Sequence, residues 1–293
     1  MTGGILRFAL LATLCVAGSV THAQTFDDPG GGHYAAVAFG ADEADSYDLT
    51  AELGLPLGER GWLHGALGSS QTSLDTGAID TRVASVSVGY DGDRIELYGG
   101  YAYRDDGDDF TQHDFFAQFT LRGARAYGGI ELFYRTAEAQ TVASIERPLR
   151  DPLSIRIEES IEGTGIGLRA GVDVSENLEL FASGMTYDYE SETNRPVLIQ
   201  RLPTLLLSGI SREEALLEST WTCGATLSIA ATAVTMTFTR DRTALLQEVT
   251  DTTEVTVDIP LFERWNLAPQ IGYSDGDAFG GIAFASVHLS VVW

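Results

Sequence analysis

The sequence predicts an all-β chain, a transmembrane antiparallel up-and-down β-barrel of about 14 strands, with roughly 12 to 16 as the admissible range. Three observations predict this fold. Apolar and polar side chains alternate along most of the chain, short and long connections follow one another between the alternating segments, and aromatic residues stand at both ends of the apolar stripes.

Alternation is the main signal, because neighbouring side chains of a strand point to opposite faces. Ile130, Leu132 and Tyr134 share one face of such a segment, whereas Glu131 and Arg135 share the other. Each segment has roughly 9 to 14 residues, which is enough to cross a bilayer at a tilt. The predicted strands are 33–41, 45–56, 61–73, 80–91, 94–105, 111–123, 124–137, 161–175, 177–190, 217–230, 233–243, 253–262, 265–275 and 280–293.

The connections indicate hairpins between consecutive strands. Short turns rich in Gly, Asp and Asn follow the even-numbered segments, and long loops follow several odd-numbered ones, notably 138–160 and 191–216. The second loop is apolar, and its stretch 211–214 has a capping-box pattern that favours a short helix. An apolar loop should not lie bare in water. It either enters the lumen or packs above the membrane against other loops, and the second arrangement is favoured.

Aromatic residues at the segment ends predict two interfacial girdles, because these rings combine an apolar body with a polar tip. On the side of the short turns they are Trp62, Tyr90, Trp265 and Trp293; on the other side they are Tyr47, Tyr103, Tyr134, Trp221 and Tyr273. Trp62 is the ambiguous member, since neither face of its segment is cleanly apolar.

The first residues predict a cleaved signal peptide, 1–23. Arg7 precedes an apolar stretch, and Ala23 ends a Thr-His-Ala site with small residues where a signal peptidase cuts. The mature part, 24–293, is expected to be a single barrel domain. It keeps one cysteine, Cys223, so no disulfide within the mature chain can hold it.

Net charge and hydropathy exclude two classes of protein. The formal charge is −24 at pH 7, which is unsuited to general nucleic-acid binding because phosphate contacts need clustered cations. Beyond the signal peptide no run reaches the roughly 18 apolar residues of a membrane helix, which excludes a helical membrane protein.

The end of the chain carries the most specific motif. Val287, Leu289, Val291 and Trp293 alternate on one face of the last segment. This ending resembles the C-terminal strand of bacterial outer-membrane β-barrels, which finishes in an aromatic residue. The resemblance implies that these four residues are the assembly signal for the barrel-assembly machinery. It also implies a porin-like barrel in the cell outer membrane, in contact with lipid and lipopolysaccharide, with its short turns in the periplasm.

Charged side chains on the predicted inner faces are the candidate pore-lining residues. They are Asp48, Glu52, Arg94, Glu96, Arg122, Arg125, Glu131, Arg135, Arg169, Asp173, Glu179 and Asp258. Charges of both signs can hold a hydrated channel and sort solutes, or they can pair across the lumen and fill it. The acidic outer loops would concentrate cations at the mouth. In one of them, 105–109, turn chemistry is favoured over a calcium site.

These observations predict a porin-like channel for the passive passage of small solutes, with a preference for cations. The alternative is a non-conducting barrel with a structural, adhesive or envelope-integrity role through its outer loops. No catalytic residue, metal or cofactor is expected. His288 lies between Ser286 and Ser290 but lacks an acidic third member, so lumen filling is favoured over a catalytic pair. The transported solute and the oligomeric state stay open.

Overall fold

The computed structural model describes residues 32–74, 77–107, 110–147, 150–191, 216–244, 247–277 and 280–293; within these ranges the side chains of 73–78, 139–159 and 191 are not described. The predicted signal peptide, the apolar part of the loop 191–216 and its capping-box stretch lie outside the described residues.

Fourteen antiparallel β-strands form one closed barrel, in which each strand pairs with its neighbours along the chain and the last strand pairs with the first. This confirms the predicted fold class and strand number. The strands are β1 (Tyr34–Asp42), β2 (Tyr47–Leu57), β3 (Gly61–Leu74), β4 (Gly77–Asp91), β5 (Ile95–Asp105), β6 (Phe110–Arg122), β7 (Ala126–Arg147), β8 (Arg150–Ser175), β9 (Leu178–Ser191), β10 (Leu217–Ile229), β11 (Thr232–Thr243), β12 (Val249–Phe262), β13 (Trp265–Gly276) and β14 (Gly280–Val292).

The hairpin of β7 and β8 corrects one prediction. The stretch 138–160, expected to be a loop, mostly continues these strands to 22 and 26 residues, with Val142 paired to Arg156. At about 3.3 Å per residue such strands are longer than a bilayer crossing needs, so the hairpin extends past the membrane. The sequence alternates there too, with Leu153, Ile155 and Ile157 interleaved with Ser154, Arg156 and Glu158, so the extended strand could have been predicted.

The two ends of the barrel differ. Short turns such as 58–60 and 176–177 lie at one end, which we call the turn end. The two ends of the described chain meet there, because the His33 amide donates a hydrogen bond to the Trp293 carbonyl at 2.9 Å. The opposite end, where β5 leads to β6 and β9 leads to β10, is called the loop end. There the Asp105 carboxylate accepts a hydrogen bond from the Gly107 amide at 2.7 Å, as in a turn, and 108–109 of the predicted turn lie outside the described residues.

The outer surface of the barrel is apolar. Leu67, Leu168 and Ile271 are 68%, 66% and 65% exposed, as expected for side chains that would face lipid. The girdle residues Tyr47, Tyr90, Tyr134, Trp221, Trp265, Tyr273 and Trp293 are also exposed. Trp62, the ambiguous member of the predicted girdle, does not belong to it. Its indole contacts Tyr98 inside the barrel, with ring centroids 5.3 Å apart. Within the described part of the chain, no helix has the length and apolar character needed to cross a membrane.

Candidate functional site in the barrel lumen

Inward-facing side chains gather in the lumen because alternate residues of every strand point there. Most of the predicted pore-lining residues are among them: Asp48, Glu52, Glu96, Arg122, Glu131, Arg135, Arg169, Glu179 and Asp258 are buried or half-buried on the inner face. Asp173 has the inward parity but is exposed where β8 ends. Arg94 and Arg125 correct the prediction, since both are exposed in turns of the turn end, where the strand parity no longer holds.

A buried ionic cluster joins β5, β6 and β7 in the loop-end half of the lumen. Arg135 forms a two-pronged ion pair with Asp114, with Nε–Oδ1 at 2.7 Å and Nη2–Oδ2 at 2.9 Å. Arg104 approaches the same carboxylate at 3.4 Å, and Gln112 donates to it at 2.8 Å. All four side chains are buried, with Gln112 wholly so. Two guanidinium groups therefore share one carboxylate in a desolvated wall.

Two further pairs lie nearer the turn end. Arg122 donates to Glu96 at 2.8 Å and lies 3.9 Å from Asp91. Arg169 is held more loosely, with its Nε 4.0 Å from Glu131 and its guanidinium 5.5 Å from the Tyr127 ring centroid.

Beside β1, the turn-end half of the lumen holds a cluster of histidine, tyrosine and glutamate. Glu52 lies 3.3 Å from Nε2 of His64 and accepts a hydrogen bond from the Tyr34 hydroxyl at 3.4 Å. The same hydroxyl is 3.0 Å from Nε2 of His288. At the turn end itself, Arg60 in the turn between β2 and β3 forms an ion pair with Asp93 at 2.8 Å. Its hydrogen bond to Tyr90 and the charge of Asp93 raise the pKa of Arg60 above its ordinary value.

Aromatic rings cover the inner face of β5 to β9, which we call the aromatic wall. Tyr98 and Phe116 lie with ring centroids 5.1 Å apart, and Phe133 meets Tyr187 edge to face at 5.4 Å. In front of this wall is a cavity of about 200 Å³. The rings that line it are Tyr98, Phe116, Tyr127, Phe133, Phe181 and Tyr187.

Small hydroxyl side chains cover the inner face of β10 to β13, which we call the hydroxyl wall. Cross-strand pairs link them: Thr222 with Thr239 at 3.1 Å, and Thr252 with Ser274 at 3.0 Å. Each hydroxyl satisfies its neighbour, so these buried polar atoms stay paired at little cost.

An apolar cluster lies in the lumen at the loop end. Ile161 of β8 and Leu216, which directly precedes β10, are only 5% and 4% exposed. Ile79 of β4, Tyr189 of β9 and Ala244 after β11 pack against them. The cluster thus brings together strands from separate parts of the barrel circumference.

Sequence reasoning missed Arg104 and Asp114 as inner-face residues. Strand parity could have placed both, since Arg104 stands an even number of residues from Glu96, and Asp114 from Arg122. It also missed the apolar cluster, because Ile79 lies just before the predicted start of its strand and Ile161 is the first residue of another.

The chain has the fold of known proteins, although its sequence is not similar to theirs. No protein-family model matches the chain, and no curated protein matches it. Among solved structures, the CymD monoaromatic hydrocarbon channel is similar at a TM-score of 0.53 and 7% identity, over 96% of this chain and 95% of that one. The translocator domain of autotransporter NalP from Neisseria meningitidis has a TM-score of 0.45 and 13% identity, over 92% and 91%. A bacterial polysaccharide outer membrane secretin has a TM-score of 0.45 and 11% identity, over 90% and 99%.

At 7% identity the likeness to the CymD channel shows the fold alone. The chain is a closed 14-stranded antiparallel barrel of the kind found in bacterial outer-membrane proteins.

Proposed function

We propose that this barrel is a porin-like channel of the bacterial outer membrane, which passes small solutes passively and prefers cations. The supporting observation is the direction of the ion pairs on the inner face. Arg104, Arg135 and Asp114 connect adjacent strands, and Arg169 meets Glu131 on the strand beside it. Pairs that follow the wall leave the centre of the lumen free, whereas pairs across it would fill the space.

Cation preference is supported by the charge of the inner face. The described inward arginines are Arg104, Arg122, Arg135 and Arg169. The described inward carboxylates are more numerous: Asp48, Glu52, Asp91, Glu96, Asp114, Glu131, Glu179, Asp241, Glu254 and Asp258. A lumen with excess carboxylate raises the local cation concentration and disfavours anions.

Insertion and assembly belong to the same proposal. The apolar outer surface with its two girdles suits lipid and lipopolysaccharide, and Val287, Leu289, Val291 and Trp293 would present the signal to the barrel-assembly machinery. Export would remove 1–23. Mass spectrometry of the protein from outer membranes tests the cleavage, since a mature chain that starts elsewhere than residue 24 contradicts it.

Single-channel recording in a planar bilayer tests the channel. The refolded barrel should give discrete conductance steps, with a reversal potential in a salt gradient of the sign for cation preference. Replacing Glu52→Gln and Asp258→Asn together should move that potential toward zero. A folded barrel that never conducts, alone or with the gate variant described next, would contradict the proposal.

A non-conducting barrel is the second candidate, and the apolar cluster favours it. Ile79, Ile161 and Leu216 would close the lumen to ions, because an apolar constriction excludes water. The Leu216→Ser variant distinguishes a gate that is closed but can open from a barrel that is permanently plugged. If the cluster is a gate, this variant should raise the open probability or conductance relative to Leu227→Ser, a change on the outer face of β10, the strand that follows Leu216. Silence from both variants and from the native barrel would favour the structural role.

We propose that the barrel works without catalysis. Ser286, the neighbour of His288, donates its hydroxyl to Gln270 at 2.7 Å, and His288 contacts the Tyr34 hydroxyl. This pattern suits polar filling of the lumen better than a serine activated by histidine.

A further inference from the structure

The aromatic wall keeps its cavity because its rings lie over glycines. A Cβ placed on Gly165 would be 2.8 Å from Cδ1 of Tyr187, and one on Gly100 would be 2.6 Å from Cζ of Phe116. Tyr127 covers Gly171 in the same way. Each ring fills the place that a neighbouring side chain would occupy and lies along the wall. These rings line the cavity in front of the wall.

The charged side chains that line the cavity carry an excess of positive charge. Three of them are arginines, Arg104, Arg135 and Arg169, and two are carboxylates, Asp114 and Glu131. Asp241 lies opposite Thr220 on the next strand and accepts a hydrogen bond from its hydroxyl at 2.5 Å, but it is not among the side chains that line the cavity. A local positive excess inside an otherwise acidic lumen is a place where an anionic group is stabilised.

Arg169 is the arginine best placed to receive that group. Arg135 already donates two short hydrogen bonds to Asp114. The Nε of Arg169 lies 4.0 Å from Oε1 of Glu131, beyond hydrogen-bond distance. Arg169 also makes a hydrogen bond with the Tyr127 hydroxyl, which is a neutral partner. An incoming carboxylate can therefore accept hydrogen bonds from Arg169 without displacing a short ion pair.

The volume of the cavity indicates how large a part of a ligand it can hold. A cavity of roughly 150 Å³ lined by apolar side chains holds one benzene ring. The cavity of about 200 Å³ in this lumen therefore has room for one ring and a small substituent.

We infer that the cavity binds a monocyclic aromatic compound with an anionic oxygen group, of the benzoate class. Its ring stacks on the faces of the aromatic wall, and its carboxylate pairs with Arg169. The role of this site rests on the proposed channel, because the ligand would be a solute of the lumen. The local positive excess at the cavity would hold an anion that the acidic lumen as a whole disfavours, and binding itself does not require conductance.

Equilibrium binding tests the site without any need for conductance. The probe is 4-fluorobenzoate, observed by fluorine NMR during titration with the full refolded barrel in detergent micelles, with empty micelles as the blank. We expect saturable binding. Arg169→Gln should weaken it at least tenfold, since a charge-assisted hydrogen bond is worth about that factor. The matched Arg60→Gln in the turn of β2 and β3 should leave it unchanged.

Two further measurements examine the ring. Phe116→Leu, which keeps an apolar side chain but loses the π face, should weaken binding severalfold. Cyclohexanecarboxylate should compete with the probe severalfold less well than benzoate. Heat-modifiable electrophoretic mobility verifies that every variant is folded.

The outcomes separate this inference from the channel proposal. Absence of saturable binding by the folded barrel overturns the site, even if the barrel conducts. Equal weakening by Arg169→Gln and Arg60→Gln, or equal competition by the two acids, also overturns it. Saturable binding with the expected pattern in a barrel that does not conduct supports the site while the channel proposal fails.

Discussion

The aromatic wall and the hydroxyl wall use the same strand spacing with opposite side-chain sizes. On the aromatic wall a large ring lies over a glycine of the next strand, as Tyr187 does over Gly165. On the hydroxyl wall two small side chains meet, as Thr252 and Ser274 do. Both solutions fill the space between neighbouring strands. The buried arginine–carboxylate pairs lie on the aromatic wall, whereas the buried Asp241 of the hydroxyl wall accepts a hydrogen bond from the Thr220 hydroxyl.

The difference teaches where the barrel can tolerate change. A threonine pair is satisfied by itself, and its loss removes one modest hydrogen bond. The aromatic wall depends on a carboxylate shared by two arginines and on rings that fit over missing side chains. We therefore expect the aromatic wall to be the sensitive half of the lumen and the hydroxyl wall to be the permissive half.

Loss of the shared carboxylate should have the largest effect. Asp114→Asn leaves Arg104 and Arg135 buried without their counter-charge, which costs about 3 to 5 kcal/mol in the free energy of unfolding. Denaturant titration of the barrel in micelles measures it. The control is Asp251→Asn, which breaks an Arg240 pair of equally short contacts on the exposed outer face and should cost far less. Similar losses from both would show that the buried wall has no special sensitivity.

Filling a glycine position of the aromatic wall should come next. Gly165→Val pushes on Tyr187 and on Phe133, whose Cβ would lie 3.1 Å from the new one, and overpacking of this kind costs about 1 to 3 kcal/mol. It should also shrink the cavity and weaken 4-fluorobenzoate binding.

Gly65→Val is the matched control for that substitution. Its new Cβ would meet only the Ser85 carbonyl, at 3.6 Å, and it would point to the outer face. A strand gains from a β-branched residue at such a position, so the unfolding free energy should stay level or rise. If Gly165→Val behaved like Gly65→Val, the rings would not depend on the missing side chain.

Strand parity explains how much of this could be predicted from the sequence. Alternation placed Glu96, Glu131 and Arg135 on the inner face, and the structure agrees. It failed at strand ends, because Arg94 and Arg125 lie in turns where side chains no longer alternate. It left the face of Trp62 ambiguous, since both faces of β3 contain apolar and small residues, and the structure places this side chain inward.

Partners within the lumen could not be predicted, because they depend on register. Asp114 is directly opposite Arg135, and Arg104 is directly opposite Gln112. A shift of one residue in either pairing would place these groups on opposite faces. The inner glycines alone do not predict the cavity either. The role of Gly165 becomes clear only when the register places Tyr187 beside it. The cavity therefore depends on the register of the strand pairs. That register cannot be read directly from the lengths of the turns and loops.

The smallest effect is expected on the hydroxyl wall. Thr252→Val removes one hydrogen bond and leaves the Ser274 hydroxyl buried without that partner, at a cost of about 1 kcal/mol in unfolding free energy. Adding Ser274→Ala should recover much of this loss, because both polar groups are then absent and the pair acts as a unit. Neither variant should alter 4-fluorobenzoate affinity, since neither residue lines the cavity. A large loss in the double variant, or weakened ligand binding, would mean that the two walls are coupled and that the permissive half of the lumen also supports the site.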